Sequence, residues 1–254
     1  MSDYKILFEH TDIEKANIQN IVVVGSHDCT DDIYLCKKFP GSNVISFECL
    51  PSGIEQCEAN IASSGLQDRI KLIKCAAGSV EGSTKFYPLM VGNEDTGGAS
   101  SIYVHEDHTN IQSITVQMRR IENVLKENKI RTVDLLCIDA QGSELHVLKG
   151  MGDMLQDVKY IQTELPTGIK GVYQDAPTKP ETLQYLNDFG FNLIYNSSEA
   201  NYENGVNIML EAQRSYFGAY LAADTIDNRS RIRAFLERKV TGESNYIFKN
   251  ITDN

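Results

Sequence analysis

Along the chain, short and nearly unbroken apolar runs alternate with longer stretches whose apolar residues recur at helical spacing. The runs are IVVVG at 21–25, NVISFE at 43–48, IKLIKCAAG at 70–78, VDLLCIDA at 133–140 and VKYIQTEL at 158–165. Rich in β-branched residues, they suit strands buried on both faces of a sheet. The stretches 31–39, 53–64, 143–154 and 180–189 read as helices. Alternation of strand and helix predicts a parallel sheet with right-handed crossovers. The far end breaks this rule. FNLIYNS at 191–197 and GVNIMLEA at 205–212 are separated only by a polar loop at 198–204. A parallel crossover takes about a dozen residues, so these two strands must form an antiparallel hairpin. The expected fold class is α/β: a doubly wound, mostly parallel sheet closed by an antiparallel hairpin.

Two segments interrupt the alternation. Residues 79–117 hold a strand predicted at 84–89 and a polar, glycine-rich loop at 92–101; loops of this length are usually functional or disordered. Residues 225–240 read as an amphipathic helix, with Ile232, Phe235, Leu236 and Val240 on one side and Arg229, Arg231, Arg233, Arg238 and Lys239 around the rest. It is either a docked helix with a solvated basic face or a contact for a second copy or an acidic partner. One domain over 1–212, carrying the insertion 79–117, and a helical appendage over 213–254 are expected.

Composition narrows the class. The 254 residues, 41% hydrophobic and 23% charged, are ordinary for a soluble globular protein with room for a core. A net charge of −11 speaks against nucleic-acid binding, which needs a basic footprint. No run approaches the roughly 20 apolar residues of a membrane span. Residues 1–9 carry Asp3, Lys5 and Glu9 with no apolar stretch, so a secretory leader is not expected. None of the six cysteines is spaced as C-x-x-C, and Cys75 and Cys137 read as small core residues. A reducing, cytoplasmic home is expected, and the sequons at Asn196, Asn228 and Asn250 then carry no weight.

Open parallel sheets bind ligands beyond the carboxyl ends of their strands. Gly25, Ser26, His27, Asp28 and Cys29 follow the first run and Glu48 ends the second. Cys75, Ala76 and Ala77 close the third, Asp139 the fourth and Glu164 the fifth. Three carboxylates on neighbouring strand tips suit a cation better than a phosphate-rich ligand. Glu48 lies 23 residues past Gly25; an acid about 20 positions past the first glycine turn is placed to accept hydrogen bonds from a ribose diol. NAD and S-adenosylmethionine both carry one. NAD sites use G-x-G-x-x-G so that backbone amides hold a pyrophosphate. Here Gly25 stands alone, and Asp28, Asp31 and Asp32 would repel a pyrophosphate. A sulfonium cofactor with a free amino group meets no such obstacle. With the closing hairpin, this favours a Rossmann-like class I methyltransferase over a dehydrogenase. Candidate cofactor contacts are Gly25, Ser26, His27, Glu48, Cys49, Ala76, Ala77 and Asp139.

The stretch 137–151, CIDAQGSELHVLKGM, is the most specific text in the chain. Asp139 ends a buried strand, where a carboxylate is costly unless paired or functional. Gly142 permits a sharp turn. Ser143 is expected to cap a helix whose first turn carries Glu144 and whose apolar side carries Leu145, Leu148 and Met151. Here the chain resembles the FkbM-type family of class I S-adenosylmethionine-dependent methyltransferases. The family's I-D-x-E-G-x-E-x-x-x-L-x-G is matched by Ile138, Asp139, Gly142, Glu144, Leu148 and Gly150, with Gln141 in place of the usual acid. Its F-E-P-x-P appears as Phe47, Glu48, Cys49, Leu50 and Pro51, and its Thr-Leu-Asp as Arg120, Ile121 and Glu122. Its paired serines appear as Ser100 and Ser101, and the acid closing its fifth strand as Glu164. The resemblance covers about 21–212 and implies methylation of a hydroxyl on a sugar or natural product. One motif departs. The family's D-V-G-A-N-x-G reads Val23, Val24, Gly25, Ser26, His27, Asp28 and Cys29, so the leading acid, the asparagine and the second glycine are absent. A catalytically weak or inactive binding module is the alternative reading.

Methyl transfer needs the acceptor close and in line, worth roughly 7–11 kcal/mol at best. A hydroxyl acceptor also needs a group to take its proton. Asp139, His27 and Glu164 are the candidates. His27 also reads as a hydrogen-bonded loop residue, Asp139 as a partner for the cofactor ammonium, and Glu144 as a helix-start residue. Asp139 and Glu164 on adjacent strands could hold a hard cation, but no third ligand stands at an evident spacing. His105 and His108 fall short of a zinc site, and no metal is assigned. The acceptor is expected against the insertion. There Gly92, Gly97 and Gly98 allow motion, Ser100 and Ser101 offer hydroxyls, and Tyr87 and Tyr103 either stack on a ring or pack. Expected partners are a small-molecule or glycan acceptor and a second copy through the C-terminal helix, with no nucleic acid and no membrane span.

Overall fold

The computed structural model describes residues 8, 11–91, 94–95, 98–106, 112–166, 169–196 and 206–212. The helix predicted at 225–240 lies outside them, as do Gly92, Gly97 and His108. The first half consists of β1 (Asn20–Val24), α1 (Thr30–Lys38), β2 (Asn43–Glu48), α2 (Pro51–Ser64) and β3 (Ile70–Lys74). Next come β4 (Ala76–Ala77), β5 (Gly82–Phe86), β6 (Met90–Val91), β7 (Glu94–Asp95) and β8 (Ile114–Arg119). Then follow α3 (Ile121–Glu127), β9 (Val133–Ile138), α4 (Glu144–Gly150), β10 (Val158–Leu165), α5 (Lys179–Asp188), β11 (Phe191–Asn196) and β12 (Val206–Ala212).

The main sheet has seven strands in the order β11-β12-β10-β9-β1-β2-β3. β3, β2, β1, β9 and β10 run parallel, as the unbroken apolar runs predict. β12 lies antiparallel between β10 and β11, so the hairpin closes the sheet. Strand residues alternate between two cores. Val22, Val24, Leu136 and Ile138 face a cluster that also takes Val124 of α3, Leu148 of α4 and Leu186 of α5. Ile21, Val23, Leu135 and Cys137 face the opposite cluster, with Leu35 of α1 and Ile61 of α2. Helices thus cover both faces, and the strand tips are left as the open end.

Four expectations are corrected. The run 70–78 is two strands, not one. Cys75 N donates to Ile73 O at 3.0 Å and turns the chain, and β4 leaves to pair with β8 in a second sheet, β4-β8-β5. Apolar continuity cannot reveal such a change of partner. The insertion strand is Gly82–Phe86 rather than 84–89, and its antiparallel partner β8 was not foreseen. The helix expected at 143–154 ends at Gly150; Gly152 adopts φ +53°, and a 3-10 turn, Gly152–Asp157, leads into β10. Ser143 does not cap it by its side chain. Its backbone (φ −103°, ψ 14°) is outside the extended region that a capping hydroxyl needs, and its Oγ donates to Ala140 O at 2.8 Å. Among the described residues, no helix is long and apolar enough to cross a membrane.

Candidate active site

Strand order reverses between β1 and β9, and the crevice lies at their carboxyl ends. Gly25 follows β1 with φ +84°, and a Cβ there would stand 1.9 Å from the Asp139 carbonyl oxygen. Only glycine allows the two tips to close in this way. His27 (φ 51°) and Cys29 (φ 61°) are also left-handed, so the turn keeps a tightly wound path with side chains where glycine would be easier. What holds it is Glu48. Its Oε2 accepts from His27 N at 2.8 Å, and its Oε1 accepts from Cys49 N at 2.8 Å and Leu50 N at 2.7 Å. Burial pushes this carboxyl up, and the Leu50, Cys49 and His27 N–H groups oppose the shift.

Gly25, His27, Glu48, Cys49, Ala76, Ala77 and Asp139 line one cleft. Ser26 lines an adjoining cavity with Asp28, Asp31 and Asp32. Phe47, Leu50, Phe86 and Ile102 supply apolar wall to the cleft. Among the described residues, neither space is lined by Lys or Arg. No group of three or more described His, Cys, Asp or Glu residues is arranged to hold a metal.

Glu164 stands next to Asp139 at the strand tips, since Thr163 pairs with Ile138, but it does not line the cleft. The insertion forms a roof. Ser100 lines the cleft, while its Oγ accepts from Leu89 N at 2.9 Å. Ser101 Oγ donates to Gln141 O at 2.6 Å. Tyr87 and Ser101 are bridged through their backbones. Tyr103 does not line the cleft; its hydroxyl meets His146 Nε2 at 2.7 Å. His146 Nδ1 in turn lies 3.2 Å from Ser79 Oγ.

Two contributors escaped the sequence reading of the site. Gln141 Nε2 donates to Asp139 Oδ1 at 2.5 Å. Tyr173 OH reaches Gln141 Oε1 at 2.6 Å and Ala99 O at 3.0 Å, which ties the roof to the β9 tip. Gln141 was visible as a departure from the family's acid, whereas Tyr173 sits in a loop with no motif. Burial, then the charges of Asp139, Glu144 and Glu164, push the Tyr173 phenol up. Glu144 Oε1 accepts from Ala140 N at 3.2 Å and Gly142 N at 3.0 Å, so it clamps the turn that carries Asp139. Burial pushes the Glu144 carboxyl up to about 7.

A parallel sheet in this order, closed by a hairpin and carrying a glycine turn after β1 and an acid at the tip of β2, defines the class I methyltransferase fold. Residues 16–193 match the family described as Methyltransferase FkbM domain, and the chain belongs to this family. It is 23% identical over 226 residues to Methyltransferase sdnD of Sordaria araneosa, covering 77% of this chain and 83% of that one. It is 26% identical over 154 residues to 2-O-methyltransferase NoeI of Sinorhizobium fredii (strain NBRC 101917 / NGR234). That match covers 57% of this chain and 62% of NoeI, less than two thirds of its length. The crystal structure of Methyltransferase FkbM from Methylobacillus flagellatus KT overlays with a TM-score of 0.48 at 13% identity, covering 76% of this chain and 44% of that chain.

Proposed function

We propose that the cleft binds S-adenosylmethionine and that the protein methylates a hydroxyl of a sugar or natural-product acceptor. The observation that carries this is Glu48 at the tip of β2, lining one cleft with Gly25, Ala76 and Asp139. The residues fit the group. A carboxylate has about four acceptor sites, and Glu48 uses three on backbone amides, leaving one toward a ribose hydroxyl. Ala76 and Ala77 are small enough to admit a flat base. Gly25 lets the chain pass where a Cβ would collide. When bound, the cofactor supplies an electrophilic methyl group on a sulfonium. Asp139 accepts the acceptor's proton, and Gln141 Nε2 fixes the carboxylate that does so. The name of NoeI, a 2-O-methyltransferase, supports a hydroxyl acceptor.

Calorimetry with S-adenosylhomocysteine tests the reading. Saturable binding is expected, and Glu48→Ala abolishes most of it by removing the acceptor of three amides. No heat and no thermal shift at millimolar ligand contradicts it. The absence of an acid at Val23 favours a second reading, a binding module without turnover. Methyl transfer to any acceptor removes that reading.

A further inference from the structure

Gln141 stands where three parts of the fold meet, and its backbone is left-handed at φ 50°. Asp139 follows β9 and lines the cleft together with Gln141. From the insertion, Ser101 Oγ donates to the Gln141 carbonyl at 2.6 Å. From the loop between β10 and α5, Tyr173 OH donates to Gln141 Oε1 at 2.6 Å. Gln141 Nε2 donates in turn to Asp139 Oδ1 at 2.5 Å. The amide fits only this way round, because a reversed one would set its oxygen against the carboxylate. Tyr173 OH also reaches Ala99 O in the insertion at 3.0 Å. Its ring lies 3.1 Å from where a Cβ at Gly142 would stand, and His105 packs edge-on against it at 5.4 Å between centroids.

An acid at position 141 would place a second carboxyl oxygen against Asp139 Oδ1. Two carboxylates that close cannot both stay charged, and the pair would hold a shared proton. The carboxamide has the same shape and supplies a permanent donor instead. We propose that Gln141 is a positioning residue. Its amide aims the Asp139 carboxylate, and the hydroxyls of Tyr173 and Ser101 make that aim depend on a docked roof. Its use in taking the acceptor's proton rests on the function proposed above. With the roof docked, Tyr173 fixes the amide and Asp139 is aimed without a proton shared at position 141. A displaced roof withdraws Tyr173, frees the amide to rotate and takes this donor away from Oδ1.

The test follows the Asp139 carboxyl by carbon-13 NMR titration of the full chain without ligand, its signal assigned by its loss in Asp139→Asn. The same spectra report that each variant is folded. Gln141→Glu keeps the shape and raises the Asp139 midpoint by roughly one pH unit or more. Gln141→Asn keeps the amide and suits a left-handed backbone, but is a methylene too short for either contact. It raises the midpoint by about half a unit, because a donor to the charged form is lost. Tyr173→Phe raises it by less, and adds nothing in the Gln141→Asn background, where the relay is already broken. The titratable groups around Asp139 are Glu144 on α4, Glu164 at the β10 tip and Tyr173, with His27 and Glu48 across the cleft. Asp28, Asp31 and Asp32 border it through the adjoining cavity. All stay in place in the Gln141 variants, so differences between them read position 141. Unmoved midpoints in both Gln141 variants, or a Tyr173→Phe shift that persists in Gln141→Asn, overturn the inference. Calorimetry with S-adenosylhomocysteine on the unmodified protein is read separately. No binding there overturns the cofactor reading and the catalytic use of the relay, whereas the midpoints still decide whether Gln141 aims Asp139.

Discussion

At the scale of single residues, the site depends on conformations that the side chains would not choose. Gly25 has both φ +84° and an Asp139 carbonyl where a Cβ would be. Gly25→Ala is expected to lose roughly 1–3 kcal/mol of stability, read as a lower chemical-denaturation midpoint, together with cofactor affinity. Asp32 gives a sharper prediction because its sign is unusual. Burial pushes its carboxyl from 3.8 up to about 7, so the folded protein holds this proton more tightly than the unfolded chain does. Its contribution is therefore present below pH about 4 and is lost as pH rises through about 7. Asp32→Asn is expected to be more stable than the unmodified protein at pH 8, by about 1–4 kcal/mol, with the gain vanishing near pH 4. Denaturation midpoints across that range check this.

At the scale of elements, the clearest helix start lies away from the cleft. Thr178 and Glu181 form a capping box at α5, with Glu181 N donating to Thr178 Oγ1 and Thr178 N donating to Glu181 Oε2. Thr178→Ala should cost about 0.5–2 kcal/mol in a denaturant melt and leave ligand affinity unchanged. The roof behaves differently. Glu106 N donates to Val172 O at 2.8 Å and Gln174 N donates to Val104 O at 2.8 Å, joining the insertion to the loop that carries Tyr173. Tyr173→Phe deletes the hydroxyl that reaches Gln141 and Ala99. It should lower kcat/KM about 2- to 10-fold in a methyl-transfer assay while S-adenosylhomocysteine still binds. The strands of the main sheet were legible because both of their faces are buried, as in β9, where all six residues are buried. β4 and β8 were not. Their pairing joins segments some forty residues apart, and β8 alternates exposed and buried positions within a polar stretch.

At the scale of the whole molecule, the sheet order could be read because chain economy and handedness leave few alternatives to alternating strands and helices. The candidate cleft was legible where strand tips place it, at Gly25, Glu48 and Asp139, which line it together. It was illegible where it depends on loops meeting across the fold. Tyr173 and Gln141 are distant in sequence, and only the closed roof brings the hydroxyl to the amide. Ser143 shows the reverse case, a residue with a recognised cap preference whose backbone turns its hydroxyl elsewhere. The molecule as a whole presents an aspartate- and glutamate-lined crevice at the switch between β1 and β9. The most direct measurement is a crystal structure of the full chain grown with S-adenosylhomocysteine. The expected density places a ribose hydroxyl on Glu48 and the base against Ala76 and Ala77. A vacant crevice at saturating ligand, or the compound bound away from Glu48, would contradict the assignment.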